Sequence, residues 1–123
     1  MMIKNDVAKF EEMRRTDYSY LKAISFVRDF DESSAYRGEI VLASLDENGD
    51  MLIEFANAIG VKIGNITHMH GVLVEIEDVS SWQWEGVLFR IRDVEEDTFS
   101  FLCGDFSVEI VDRKICTWWW RRQ

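Results

Sequence analysis

The sequence of 123 residues contains no proline, only two cysteines and only two histidines. Without proline, every tight turn has to be made by residues such as Gly, Asn, Asp and Ser. Cys103 and Cys116 lie too far apart for a redox pair or a zinc knuckle, and we expect no disulfide between them. Two histidines also exclude a metal site built from three imidazoles.

Long apolar runs and complete catalytic motifs are absent as well. No apolar stretch approaches the roughly 20 residues of a membrane span, and Glu11 and Glu12 precede any apolar stretch that could serve as a signal peptide. We therefore expect a cytoplasmic protein with no membrane partner. The glycines lack the spacing of a phosphate-binding loop, and no nucleophile elbow is present. The sequence thus predicts no cofactor and favours a non-catalytic protein.

Acidic residues outnumber basic ones by 23 to 14, which gives a formal net charge of −9. The resulting field repels phosphate backbones and attracts basic surfaces. The basic residues are scattered rather than arranged in a stripe, so a nucleic-acid partner is not expected. A basic protein partner is expected instead, although acidity that only keeps the protein soluble remains the alternative.

Apolar and polar residues alternate with a period of two over residues 38–111, in short runs separated by turn residues. This pattern is typical of consecutive antiparallel strands. Residues 5–16 have the capping residues and apolar spacing of a helix. We therefore predict one α+β, β-rich domain over residues 1–123, in which an N-terminal helix precedes an antiparallel meander curled into a barrel or strongly twisted sheet. The predicted strands lie within residues 38–120.

Several local signals locate strands and turns within this region. Residues 18–30 fit either a helix or a strand, and we favour a strand. The pair Asn48-Gly49 marks a hairpin turn, and Gly104-Asp105 is predicted to turn the chain between two further strands. Other strands are predicted over residues 51–55, 61–66, 72–77 and 82–91, the last with a β-bulge at Gly86.

Two groups of polar residues could form chemical sites. His68 and His70 lie on one side of an extended segment and could bind a metal together with Glu75 or Glu77. The alternative is a polar loop with solvated histidines.

Glu75, Glu77 and Asp78 precede Glu85, and two carboxylates that face each other across a hairpin could provide general acid and base groups. Alternatively, Glu75 and Glu77 form a ladder of ion pairs with Arg90 and Arg92 on the solvated face of a sheet, because both pairs of residues alternate with apolar ones.

Tryptophans provide the clearest functional signal in the sequence. Trp82 and Trp84 share one side of their predicted strand, and together with Phe99 and Phe101 they could hold a small apolar ligand inside a curled sheet.

The last tryptophans, Trp118, Trp119 and Trp120, occur close to the end of the sequence, where large apolar groups are uncommon. They are predicted either to form a buried final strand or to contact a partner, which includes a second copy of the chain in a homodimer.

In size, acidity and α+β character, the sequence resembles the small acidic immunity proteins that neutralise basic nuclease toxins in bacterial competition. The resemblance implies an inhibitor that covers a basic toxin through charge complementarity. It involves no shared motif, so no functional residue follows from it. Acidic segments are the expected contact regions, namely residues 29–34 and a turn that contains Asp93, Glu95, Glu96 and Asp97.

Overall fold

The structure is a computed structural model that describes residues 2–14, 18–28, 35–44, 49–64 and 71–112. It contains one α-helix, one short 3-10 turn at Ser80–Trp82 and eight β-strands among these residues. The elements are, in chain order, β1 (Met2–Lys4), α1 (Val7–Arg14), β2 (Tyr20–Arg28), β3 (Tyr36–Ala43), β4 (Gly49–Ile63), β5 (Val74–Asp78), β6 (Phe89–Asp93), β7 (Phe99–Cys103) and β8 (Asp105–Asp112).

The N-terminal helix begins where its sequence predicts. The Asp6 side chain accepts a hydrogen bond from the backbone N–H of Lys9 at 3.0 Å and so satisfies one of the free donors of the first turn. Phe10 points from α1 into the core and is fully buried. The helix therefore packs against the core of the sheet through Phe10.

All strand pairs are antiparallel, and they form two sheets that share β4. The first sheet has the order β1-β8-β4-β3-β2, and the second has the order β5-β6-β7-β4. Together they form a strongly curled half-barrel, which confirms the predicted fold class. The strand favoured for residues 18–30 is also confirmed, whereas the short strand β1 was not predicted.

The shared strand β4 is 15 residues long and bends in its second half. Asn57 and Gly60 both have positive φ values, 58° and 63°, in the left-handed region that interrupts a regular strand. The predicted strands 51–55 and 61–66 are therefore not separate, since one continuous strand contains the first and half of the second. The alternating pattern could not distinguish a bend from a turn.

The predicted turn at Gly104-Asp105 is wrong for the same reason. Instead of folding back on each other, β7 and β8 follow one another along the same edge of β4. Ile53 is paired with Val108 of β8, and Lys62 is paired with Ser100 of β7. The backbone N–H of Gly104 donates to the carbonyl of Ala56 on β4. This bond continues the hydrogen-bond ladder along β4 from β7 to β8.

The predicted strand over residues 82–91 is correct only at its end. Trp82 closes the 3-10 turn, Gln83 adopts a left-handed conformation, and the strand begins at Phe89. Gly86 has a φ of 77° and lies in a turn rather than in a β-bulge. The segment thus forms an ordered loop, because its hydrogen bonds are satisfied locally and by neighbouring strands.

The core fills the concave side of the half-barrel, which we call the inner face. Phe99, Phe101 and Ile91 from the second sheet meet Ile53 and Ile40 from the first, and all five are at most 1% exposed. These residues alternate along their strands with side chains on the opposite, outer face. Within the described parts of the chain, no helix has the length and apolar character that crossing a membrane requires.

An aromatic cluster joins the two sheets across the core. The ring centroid of Phe26 lies 5.3 Å from that of Phe55 and 5.4 Å from that of Phe101, and the last two are 4.4 Å apart. Gly38 is paired with both Phe26 and Phe55. A Cβ atom at Gly38 would lie only 1.9 Å from the carbonyl oxygen of Ser25, so this position has no room for any side chain.

We predict that Gly38→Ala lowers the free energy of unfolding by about 3 kcal/mol, because strand β2 would have to move away from β3. Gly60→Ala is the matched control. No atom lies within 4 Å of a Cβ at Gly60, so its cost is limited to about 1 kcal/mol from the positive φ. Urea denaturation followed by far-ultraviolet circular dichroism measures both. Equal losses for the two variants would contradict the packing at Gly38.

Candidate functional site

The outer face of the second sheet carries a ladder of opposite charges. Glu75 is paired with Arg92 and Glu77 with Arg90 across strands β5 and β6. Arg90 donates to the carboxylate of Glu77, and Arg92 donates to that of Glu75 at 3.3 Å. The ladder predicted from the alternation is therefore confirmed, and both carboxylates accept hydrogen bonds from guanidinium groups rather than facing each other as an acid and a base.

The acidic turn, which we define as residues 93–97, connects β6 to β7 and is organised by Asp93. The Oδ1 atom of Asp93 accepts hydrogen bonds from the N–H groups of Leu73 and Glu95, each at 3.0 Å. Its Oδ2 atom accepts from the N–H groups of Glu96 and Thr98 and from the Thr98 hydroxyl, the last at 2.7 Å. One side chain thus fixes the backbone of the whole turn.

These hydrogen bonds also determine the charge state of Asp93. Burial alone would raise the pKa of Asp93, but the donors from Leu73, Thr98 and Glu95 outweigh burial and hold the pKa below its usual value. The carboxylate is therefore ionised at neutral pH although its side chain is fully buried.

Burial also corrects one predicted contact residue. Asp93 is inside the protein and cannot lie on a partner surface, whereas Glu95, Glu96 and Asp97 are exposed. Since residues 93–99 contain no lysine or arginine, this end of β6 presents three carboxylates with no basic residue in the same segment. Asp93 contributes indirectly, because it holds the turn that presents the other three.

The tryptophan loop, which we define as residues 78–88, lies at the opposite end of β6. The Asp78 carboxylate accepts a hydrogen bond from the N–H of Ser80 at 2.9 Å. The loop is tied to the sheet by the N–H of Val79, which donates to Leu88, and by the N–H of Leu88, which donates to Cys103. Val79 and Val87 are buried at the base of the loop and fix its position.

Trp82 and Trp84 project outward from this loop, and their side chains are 40% and 57% exposed. Their ring centroids are 5.5 Å apart in an edge-to-face arrangement, and the Arg90 guanidinium lies 5.8 Å from the Trp82 ring. Phe99 and Phe101 are instead buried on the inner face. The four aromatic residues predicted to hold an apolar ligand therefore do not line a common cavity, because the tryptophans lie in a loop outside the sheet.

The remaining predicted site residues fall mostly outside the described part of the chain. These are His68, His70, Trp118, Trp119 and Trp120, together with the acidic residues 29–34. Among the described residues, no three His, Cys, Asp or Glu side chains form a group that could hold a metal ion.

Cys103 is described, and its position makes it a core residue. Burial, and to a smaller extent the charge of Asp105, raise the pKa of the Cys103 thiol to about 12. The thiol is therefore protonated at neutral pH, and a protonated buried thiol is a poor nucleophile.

A surface depression of about 340 Å³ lies where β1, β4 and β8 run side by side. Its lining has both signs of charge, and the Asn5 amide donates to the Asp105 carboxylate at 3.3 Å. This mixture of charges provides no focus for a ligand of one sign. The lining residues are Lys4, Asn5, Arg37, Glu54, Phe55, Ala56, Asp105, Phe106 and Ser107.

The structural role of Asp93 and the outward projection of Trp82 and Trp84 were not predicted from the sequence. A usable signal for the first was present, because an aspartate followed at short spacing by polar residues and a threonine is typical of a turn capped by its first side chain. The second had no such signal, since the loop is tied to the sheet by the long-range hydrogen bond from the backbone N–H of Leu88 to the carbonyl of Cys103. The local alternation of apolar and polar residues does not reveal that bond.

The structure thus defines a β-rich half-barrel whose second sheet bears charge pairs on its outer face, between an aromatic loop and an acidic turn. Comparison with known proteins gives a family model described as Immunity protein PIM8, which matches residues 2–109. Because this match covers most of the chain, the chain belongs to that family of immunity proteins. No curated protein and no solved structure matches it.

We predict that Asp93→Asn lowers the free energy of unfolding by about 2 kcal/mol at pH 7, because the amide presents an N–H₂ group to N–H donors that need an acceptor. The folded pKa of Asp93 lies below the unfolded value of about 4. The difference in free energy of unfolding between the unaltered protein and Asp93→Asn is therefore complete above pH 4. It shrinks as the pH falls towards the folded pKa of Asp93.

Urea denaturation at pH 7, 5 and 3 measures this difference. Asp97→Asn is the matched control, because Asp97 is exposed and its φ of 52° suits asparagine. Its effect should stay within about 0.5 kcal/mol. A difference between Asp93→Asn and the unaltered protein that is the same at pH 7 and pH 3 would show that the charge of Asp93 does not stabilise the turn.

Proposed function

We propose that this protein is a non-catalytic inhibitor that binds and neutralises a basic protein toxin. The observation that carries the proposal is the match of residues 2–109 to an immunity-protein family, whose function implies a toxin partner. The basic character of that toxin is our own inference from charge. It is supported by the excess of 23 acidic over 14 basic residues, which favours encounter with a basic surface.

The acidic turn is the part of the structure best suited to this encounter. Glu95, Glu96 and Asp97 are exposed and adjacent, and the fully buried Asp93 carboxylate holds their backbone in place. A preformed turn loses little conformational entropy on binding. Exposed charges of this kind act mainly on the association rate, and salt screens them.

The surface between the acidic turn and the tryptophan loop has the dimensions of a protein interface. The two are connected by β6, whose first and last Cα atoms lie about 13 Å apart. A typical interface buries about 800 Å² on each partner, which corresponds to a disc about 30 Å across. One toxin can therefore contact the acidic turn, the ladder of Glu75 and Glu77 with their arginines, and the tryptophan loop at the same time.

The test is co-expression with a toxin identified among the products of the neighbouring reading frames, followed by binding measurements on the purified pair. The unaltered protein should restore growth of the toxin-producing cells. Converting the acidic turn to neutral amides, Glu95→Gln with Glu96→Gln and Asp97→Asn, should lower the association rate constant about tenfold at low ionic strength. The reduction should be smaller at high salt.

The matched control removes three carboxylates elsewhere, by Glu12→Gln, Glu54→Gln and Glu109→Gln. Both triple variants have the same net charge, so only the location of the missing charges differs. The control should associate at a rate close to that of the unaltered protein. Equal slowing by the two variants would show that the acidic turn has no local role, and failure of the soluble, unaltered protein to restore growth would contradict the inhibitor function itself.

A further inference from the structure

The tryptophan loop exposes two large aromatic side chains on a rigid backbone. Exposed tryptophans are costly in water, and tryptophan is the residue type most enriched where binding energy concentrates in protein interfaces. The backbone N–H of Trp82 donates to the carbonyl of Val79 at 2.9 Å, and the backbone N–H of Val87 donates to the carbonyl of Trp84 at 3.1 Å. The backbone that carries both indoles is therefore held in place before any partner binds.

The charges around these indoles favour a cationic partner. Residues 77–89 contain Glu77, Asp78 and Glu85 but no lysine or arginine. Glu77 is paired with Arg90, so Asp78 and Glu85 give the loop its negative charge. Hydrogen bonds from the backbone and side chain of Ser80 lower the pKa of Asp78, which is therefore ionised at neutral pH.

The protein already shows a guanidinium group at one of these rings. Arg90 lies 5.8 Å from the Trp82 ring centroid, within the range of a cation–π contact. Trp84, the more exposed of the two, has an edge-to-face contact with Trp82 that leaves 57% of its side chain open to solvent. Its indole is thus available to a cation from another molecule.

We infer that the tryptophan loop binds an arginine side chain of the partner toxin, which stacks on the Trp84 indole while the carboxylates of Asp78 and Glu85 provide the complementary charge. This inference rests on the proposed function, because the arginine belongs to the toxin. It assigns the two ends of the outer face different roles. The acidic turn speeds encounter, and the tryptophan loop holds the bound toxin.

The first experiment measures the affinity of the toxin for Trp84→Ala, Trp84→Phe and Tyr20→Ala. Tyr20 is a control because its side chain is 42% exposed but lies on β2, in the other sheet. Trp84→Ala should weaken binding about 30-fold, mainly through faster dissociation. Trp84→Phe should lose less affinity than Trp84→Ala, since phenylalanine retains an aromatic face, although a weaker one than that of tryptophan. Urea denaturation checks that all three variants remain folded.

The second experiment uses a probe that does not depend on the toxin. A short peptide with two arginines is titrated into nitrogen-15-labelled protein, and the indole N–H signals are assigned with Trp82→Phe and Trp84→Phe. The Trp84 signal should shift in a saturable way. The same peptide with the neutral isostere citrulline in place of arginine should leave it unchanged, as should the arginine peptide added to the Asp78→Asn, Glu85→Gln variant.

The outcomes separate the two proposals. Normal toxin neutralisation by Trp84→Ala, with unchanged affinity, would overturn the inference and leave the inhibitor function intact. If the unaltered protein does not bind the toxin, the inhibitor function fails, and the peptide titration decides the inference alone. In that case a shift of Trp84 that requires arginine would support a cation-binding loop, and the lack of such a shift would overturn it.

Discussion

The pairing of β4 with the consecutive strands β7 and β8 is the constraint on which the rest of the structure depends. β4 belongs to both sheets, and it bends where Asn57 and Gly60 adopt positive φ values. β7 and β8 bend with it at Gly104, so the ladder continues across the corner. This shared corner turns one long ribbon into two faces of a half-barrel, and it determines which side chains point inward.

The two faces have different chemistry because of this arrangement. The inner face is closed by aromatic contacts such as Phe55 with Phe101, whose centroids are 4.4 Å apart, and its space is used by the core. The outer face of the second sheet presents charge pairs between an aromatic loop and an acidic turn. An immunity protein needs a surface that recognises another protein, and we propose that the outer face of this sheet, with a loop at each end of β6, provides it.

Much of the fold was predictable because it depends on local patterns. The cap at Asp6 predicted the helix, the alternation of Glu75 and Glu77 with apolar residues predicted their pairing with Arg92 and Arg90, and size and acidity suggested an immunity protein. The bend at Gly104 was not predictable, since a hairpin and a continued strand have the same alternation. The burial of Asp93 was also not predicted, because its spacing to Thr98 indicates a capped turn but only the long-range donor from Leu73 places the carboxylate inside the protein.

The most direct test of the central claim is a set of backbone nuclear Overhauser contacts measured on the free protein in solution. The account predicts interstrand contacts between Ile53 and Val108 and between Lys62 and Ser100, which place β7 and β8 along the same edge of β4. A hairpin at Gly104-Asp105 would instead give backbone contacts between Cys103 and Phe106 and between Phe101 and Val108. Observation of that second set would contradict the shared corner and, with it, the assignment of the outer face.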